Sequence, residues 1–222
     1  PVSDSIYNSA YCRCPSSGRH LMFPSIYHQV AATTDIQLAS SWDGWNWTRP
    51  ERRPIVTCET EEGAYSCIYA APCILELGDG WGVPYHGNHH LHDWAGWPDA
   101  EVIDGEYRWA QWQPERLCAL EAREHGGFTT VERECQGDRL RLNFKTEPGG
   151  WIRAAIVQRP GTPPTPVPEL EGFELDSCDV LAGDDLRREV TWNGKGDLGT
   201  LANREVSVRI EMAKTKLFSY SI

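Results

Sequence analysis

Val206-Ser207-Val208-Arg209-Ile210-Glu211-Met212 alternates apolar and polar residues through seven positions, and Leu140-Arg141-Leu142-Asn143-Phe144 does so through five. Side chains along a β-strand point to opposite faces in turn, so a period of two marks strands with one buried and one wet face. Helical periodicity is weak throughout the chain. Between the two runs, residues 160–168 hold five prolines in nine positions. They read as an extended loop between strands of one sandwich, with a stiff linker as the alternative. Residues 117–124 fit a helical turn and a short strand equally well.

Upstream, strands are expected around residues 9–14, 19–27, 35–40, 68–77, 81–87 and 107–112, with Gly78-Asp79-Gly80 as a tight hairpin turn. The pattern becomes cleaner and more charged near residue 125. We therefore expect an all-β chain in two parts, residues 1–120 and 121–222.

The 222 residues are 40% hydrophobic and 24% charged, which excludes a disordered, collagenous or coiled-coil chain. Twenty glycines and 15 prolines set among 10 Trp and 8 Tyr agree with many turns joining aromatic strands. Lys and Arg number 21 against 32 Asp and Glu, a net charge of −11 that repels nucleic acid and anionic membrane. Neither is an expected partner, and no run reaches the roughly 18 apolar residues of a membrane helix. The chain opens Pro1-Val2-Ser3-Asp4 without a signal-like stretch and reads as a processed or cut polypeptide. Eight cysteines permit up to four bridges, and Asn46-Trp47-Thr48 is a glycosylation sequon, so a secreted or periplasmic location is expected. Reduced core thiols and a fortuitous sequon remain the alternative.

Several stretches carry a resemblance. Leu21-Met22-Phe23-Pro24-Ser25-Ile26-Tyr27, Leu38-Ala39-Ser40-Ser41-Trp42-Asp43-Gly44-Trp45-Asn46-Trp47-Thr48-Arg49-Pro50, Tyr69-Ala70-Ala71-Pro72 and Trp81-Gly82-Val83-Pro84-Tyr85-His86-Gly87 resemble blades of the five-bladed β-propeller glycoside hydrolases, family-32-like branch. Gly137-Asp138-Arg139-Leu140-Arg141-Leu142-Asn143, Leu181-Ala182-Gly183-Asp184, Val190-Thr191-Trp192 and residues 198–220 are similar to the β-sandwich that follows the propeller there. The resemblance implies about two propeller-type blades over residues 1–120, an antiparallel β-sandwich over 121–222, and carbohydrate handling. Two blades leave open sheet edges, so it also implies a companion N-terminal polypeptide or second subunit completing the ring.

Retaining glycosidases use two carboxyl groups. The nucleophile and transition-state motifs of the resembled family have no match here, and Glu134-Cys135 spells the acid/base dipeptide only where the sandwich is expected. Catalytic residues are thus unassigned, and no cofactor is expected. Sugar sites pair aromatic faces with planar polar groups. That chemistry points to Tyr85, His86, His92, Asp93, Trp94 and Trp97 as substrate-binding candidates and to a carbohydrate ligand. The histidine-rich stretch 86–92 leaves a metal enzyme as a third reading beside a hydrolase portion and a non-catalytic, lectin-like protein, although its spacing matches no established zinc pattern. Ser41-Trp42-Asp43-Gly44-Trp45-Asn46-Trp47 resembles a shortened Asp-box turn, with Asp43 accepting backbone N–H groups, Gly44 at positive φ and Trp47 folding back.

Overall fold

A computed structural model describes residues 4–58, 65–93, 105–157 and 168–222. The chain is all-β, with short 3₁₀ turns at Leu175–Ser177 and Gly199–Leu201, and among the described residues the three sheets are open. It divides into two compact units, Pro1–Leu117 and Cys118–Ile222.

The first unit contains β1 (Asp4–Ile6), β2 (Tyr11–Arg13), β3 (His20–Met22), β4 (Ser25–His28), β5 (Thr33–Ile36), β6 (Ala39–Ser41), β7 (Cys67–Ala70), β8 (Leu75–Leu77), β9 (Gly80–Asn88) and β10 (Gly105–Trp112). A seven-stranded sheet runs β1-β4-β5-β7-β9-β10, with β8 also on β9, and a three-stranded sheet runs β2-β3-β6. The strand expected over residues 19–27 breaks at Phe23-Pro24, because Pro24 has no N–H for the ladder. β3 and β4 consequently belong to different sheets, and the strand expected over 35–40 crosses between the same sheets as β5 and β6. Gln37 N–H donates to Pro24 C=O at 3.0 Å, holding the two crossovers side by side. Phe23, Leu38, Ile36, Ile68 and Val83 fill the apolar cluster beside them.

Pro72 likewise splits the strand expected over 68–77 into β7 and β8, which pair with successive stretches of β9. Leu77 and Gly80 close the expected hairpin, with φ of +64° at Gly78 as a type II′ turn requires.

Asp43 organises the turn after β6. Its Oδ1 accepts the Trp45 and Asn46 backbone N–H groups, each at 2.8 Å, and the Ser41 hydroxyl at 2.9 Å; its Oδ2 accepts the Asn46 side-chain amide at 2.8 Å. Trp47 folds back to donate Nε1–H to Gly44 C=O at 3.0 Å. Gly44 has φ of +78°, and a Cβ there would lie 2.8 Å from the His20 ring. The Asn46 backbone and side-chain amides, with the Trp45 N–H, hold the Asp43 carboxyl well below the usual range. A depressed native pKa contributes stability above the unfolded value of about 3.9 that is lost as pH falls through the native value. Asp43→Ala is therefore expected to lower the Tm at pH 7, by a margin that narrows on acidification in parallel thermal melts. The turn also engages the sequon amide, so a glycan on Asn46 Nδ2 would compete with Asp43.

The second unit contains β11 (Leu120–Ala122), β12 (Gly126–Thr129), β13 (Arg133–Glu134), β14 (Arg141–Val157), β15 (Asp184–Glu189) and β16 (Glu205–Ser221). Residues 117–124 thus supply a short strand. β14 and β16 pair antiparallel and build the centre of the sheet, β11-β16-β14-β15, with β12 and β13 also on β16. The alternation read from sequence is the buried set: Leu140, Leu142, Phe144, Val206, Val208, Ile210 and Met212 are at most 4% exposed. Register shifts interrupt the pair. Thr146 faces Thr215 and Trp151 faces Ala213, leaving residues 147–150 and Lys214 unmatched. Asn193-Gly194 forms the turn that returns Lys195 to Trp192, an Asn-Gly signal with positive φ at both positions. Of the proline-rich stretch 160–168, all but Pro168 lies outside the described residues.

Cys12, Cys67, Cys135 and Cys178 are buried as small apolar side chains. Burial, then the neighbouring Cys73 and Cys14, pushes the Cys12 thiol up to about 11.

Candidate functional site

Three tripeptides follow one pattern: Ser5-Ile6-Tyr7, Ser25-Ile26-Tyr27 and Cys67-Ile68-Tyr69. Ile26 and Ile68 are 3% and 1% exposed, so the adjoining tyrosines turn to the opposite face of the sheet. Register extends that face, since residues directly opposite one another point the same way. Ser5 pairs with Tyr27, Tyr27 with Thr34, Thr34 with Cys67, Tyr69 with His86, and His86 with Tyr107. One face of the seven-stranded sheet thus carries Tyr7, Tyr27, Tyr69, His86 and Tyr107. The Tyr7 ring lies 6.4 Å from Tyr27 and 5.8 Å from Tyr69, and His86 lies 5.2 Å from Tyr107.

The segment after β9 folds onto this face. His92 N–H donates to Ala32 C=O at 2.7 Å, and its ring lies 4.3 Å from Tyr27 and edge-on to Tyr7 at 4.7 Å. The Tyr27 hydroxyl donates to both Asp93 oxygens, at 2.8 and 2.9 Å, and His92 Nδ1 lies 3.1 Å from Asp93 Oδ1. The Tyr27 hydroxyl, then His92, holds the Asp93 carboxyl below its usual range, so it is charged at neutral pH. The same carboxylate raises the Tyr27 phenol. Burial chiefly raises the Tyr69 phenol, which lies against Cys67 and Thr34. Hydroxyls and imidazole edges are thereby fixed among ring faces, and the Asp93 carboxylate is 65% exposed beside them.

His28 follows Tyr27 and points the other way, its Nε2 2.8 Å from Asp35 Oδ2 and its Nδ1 3.2 Å from Asp4 Oδ1. Burial opposes its charged form, but hydrogen bonds to Asp35 and Asp4 outweigh that and raise the imidazole pKa. Such a group stabilises the fold fully below its unfolded value of about 6.5, and the contribution is lost as pH rises through the native value. The Tm difference between the native chain and His28→Gln is accordingly expected to be larger near about pH 5.5 than near about pH 8.5.

Among the sequence-derived candidates, His92 and Asp93 meet at Tyr27, and His86 stands on the same face beside Tyr107. Tyr85, its neighbour along β9, instead packs against the apolar cluster. Trp94 and Trp97 lie outside the described residues. Glu134 is exposed on β13, while Cys135 is fully buried in the second unit. The histidines of stretch 86–92 diverge: His89 stacks on Tyr65 at 4.7 Å, away from His86 and His92 in its partners. No group of three or more His, Cys, Asp or Glu suited to holding a metal ion occurs among the described residues. The tyrosines of the face were not among the sequence candidates, and the recurring Ile-Tyr pair is the signal that marks three of them. No family model matches the chain, and no curated protein sequence matches it.

Proposed function

We propose that the chain handles carbohydrate, as the C-terminal portion of a glycoside hydrolase-like propeller protein, with a saccharide lying on the tyrosine-histidine face. The observation that carries this reading is the convergence of Tyr7, Tyr27, Tyr69, His86 and Tyr107 with Asp93. Ring faces cover the C–H surface of a sugar, and fixed hydroxyl, imidazole and carboxylate groups meet its hydroxyls. The Asp43 turn, which resembles a shortened Asp-box turn, supports propeller-type blades, and the long antiparallel β14–β16 pair of the second unit supports a β-sandwich. In this reading a companion polypeptide or second subunit closes the ring and supplies the reactive carboxylates, in a secreted or periplasmic setting. The alternative is a non-catalytic, lectin-like protein that uses the same face.

Calorimetric titration against a panel of neutral, amino and acidic oligosaccharides tests both. Saturable binding is expected, and silence across the whole panel would overturn the carbohydrate reading. Detection of a co-purified polypeptide by light scattering and intact mass separates the two versions.

A further inference from the structure

Among the described residues, the strands that end the sheets differ in character. β1, β2, β6 and β11 are three residues long, and five of the six residues of β15 are charged. Short or heavily charged edges resist pairing with another chain. β10 has neither protection. It ends the seven-stranded sheet, runs eight residues from Gly105 to Trp112, holds no proline and carries one Glu and one Arg. β9 pairs with it along its whole length on one side. Most of its side chains are exposed, Tyr107 at 80% and Trp109 at 47% among them.

We infer that β10 is an interface for a second copy of this chain, which adds its own β10 antiparallel across a two-fold axis at Tyr107. Charge selects that register. Residues directly opposite one another across an antiparallel pair are side-chain neighbours, so an axis at Tyr107 sets Glu106 against the partner's Arg108 and Arg108 against the partner's Glu106. Within one copy the two already pair at 2.9 Å, yet their side chains remain 54% and 52% exposed. Docking joins the two pairs into one group of four alternating charges. An axis at Glu106 or at Arg108 sets like charges opposite each other, and every other register within β10 leaves Glu106 opposite an uncharged residue. With the axis at Tyr107, Trp109 falls opposite the partner's Gly105, which presents no side chain, and the tyrosine-histidine face continues from one copy to the other. So short a ribbon buries far less than an obligate dimer, which makes the association a concentration-dependent equilibrium.

Sedimentation equilibrium of the whole chain at low salt, from micromolar to submillimolar concentration, tests this. The mass is expected to rise from 25.0 kDa toward twice that value, and to fall back as salt is added. Hydrogen exchange on the same samples is expected to slow at the β10 amides as concentration rises and to stay unchanged at β1. Arg108→Glu and Glu106→Arg each set like charges opposite one another, and each is expected to weaken self-association about tenfold or more. An equimolar mixture of the two variants is expected to regain it, because one copy then presents two carboxylates and the other two guanidinium groups. Arg123→Glu, which makes the same change of net charge as Arg108→Glu on the second unit, is expected to leave it unchanged. A monomer at every concentration, a dimer without protection of β10, self-association that survives either reversal, or a mixture no tighter than the single variants would overturn the inference. Protection of β10 by a different co-purified polypeptide would overturn it as well. Should either reversal fail to fold, exchange in the native chain decides the question. Each of these outcomes leaves the carbohydrate reading to its own titration.

Discussion

Trp192→Ala is expected to lower the stability of the second unit by about 3–5 kcal/mol, the range for truncating a large buried aromatic. The indole is 2% exposed, its Nε1–H donates to Ala154 C=O at 3.0 Å, and Phe173 packs edge-on to it at 5.2 Å. Alanine would leave a large void in the cluster with Leu140, Phe144 and Ile156 and strip the Ala154 carbonyl of that partner. Trp192→Phe restores much of the volume without the N–H, and should recover part of the loss. Urea unfolding followed by circular dichroism checks both. A shift under about 1 kcal/mol for the alanine variant would show that the core does not depend on this ring.

Tyr107→Ala is expected to have the opposite signature, with little change in stability and a large change in binding. The ring is 80% exposed on β10, and surface truncations of that kind usually stay within about 0.5 kcal/mol. If a sugar stacks on the exposed ring of Tyr107 beside His86, losing the ring removes about 1–2 kcal/mol of contact, roughly a tenfold to thirtyfold fall in affinity. Tyr107→Phe keeps the face and should retain most of the affinity. Calorimetry with the tightest-binding sugar of the panel, beside a thermal melt, separates binding from folding. Unchanged affinity in the alanine variant would place the saccharide elsewhere.

Much of the second unit was legible because its strands are long and one-sided. Val206 to Met212 alternates without interruption, and each apolar residue went inward. The first unit was harder to delimit because apolar runs pass through Phe23-Pro24 and Ala71-Pro72, and a change of sheet leaves no trace in periodicity. The Asp43 turn was readable in detail, since Asp-Gly followed by a returning Trp is local chemistry that needs no distant partner. The site lay between these extremes. His92 and Asp93 stood out by residue type, whereas Tyr27 and Tyr69 looked like ordinary strand aromatics. Register across β4, β5, β7 and β9 brings them together, and register depends on pairs far apart in sequence. Tyr85 was drawn in by its proximity to His86, although adjacent residues on a strand face opposite ways.

The unmatched Lys214 in β16 has φ of +46°, and it changes which residues of that strand are hidden. Val206, Val208, Ile210 and Met212 point inward at even numbers, whereas Thr215 and Leu217 do so at odd ones. One spare residue therefore works as a phase shifter, letting a single continuous segment serve two stretches of interior whose alternations are out of step. Loss of that residue would invert everything on one side of it, whereas the unmatched stretch 147–150 within β14 could lengthen or shorten in even steps without disturbing either phase.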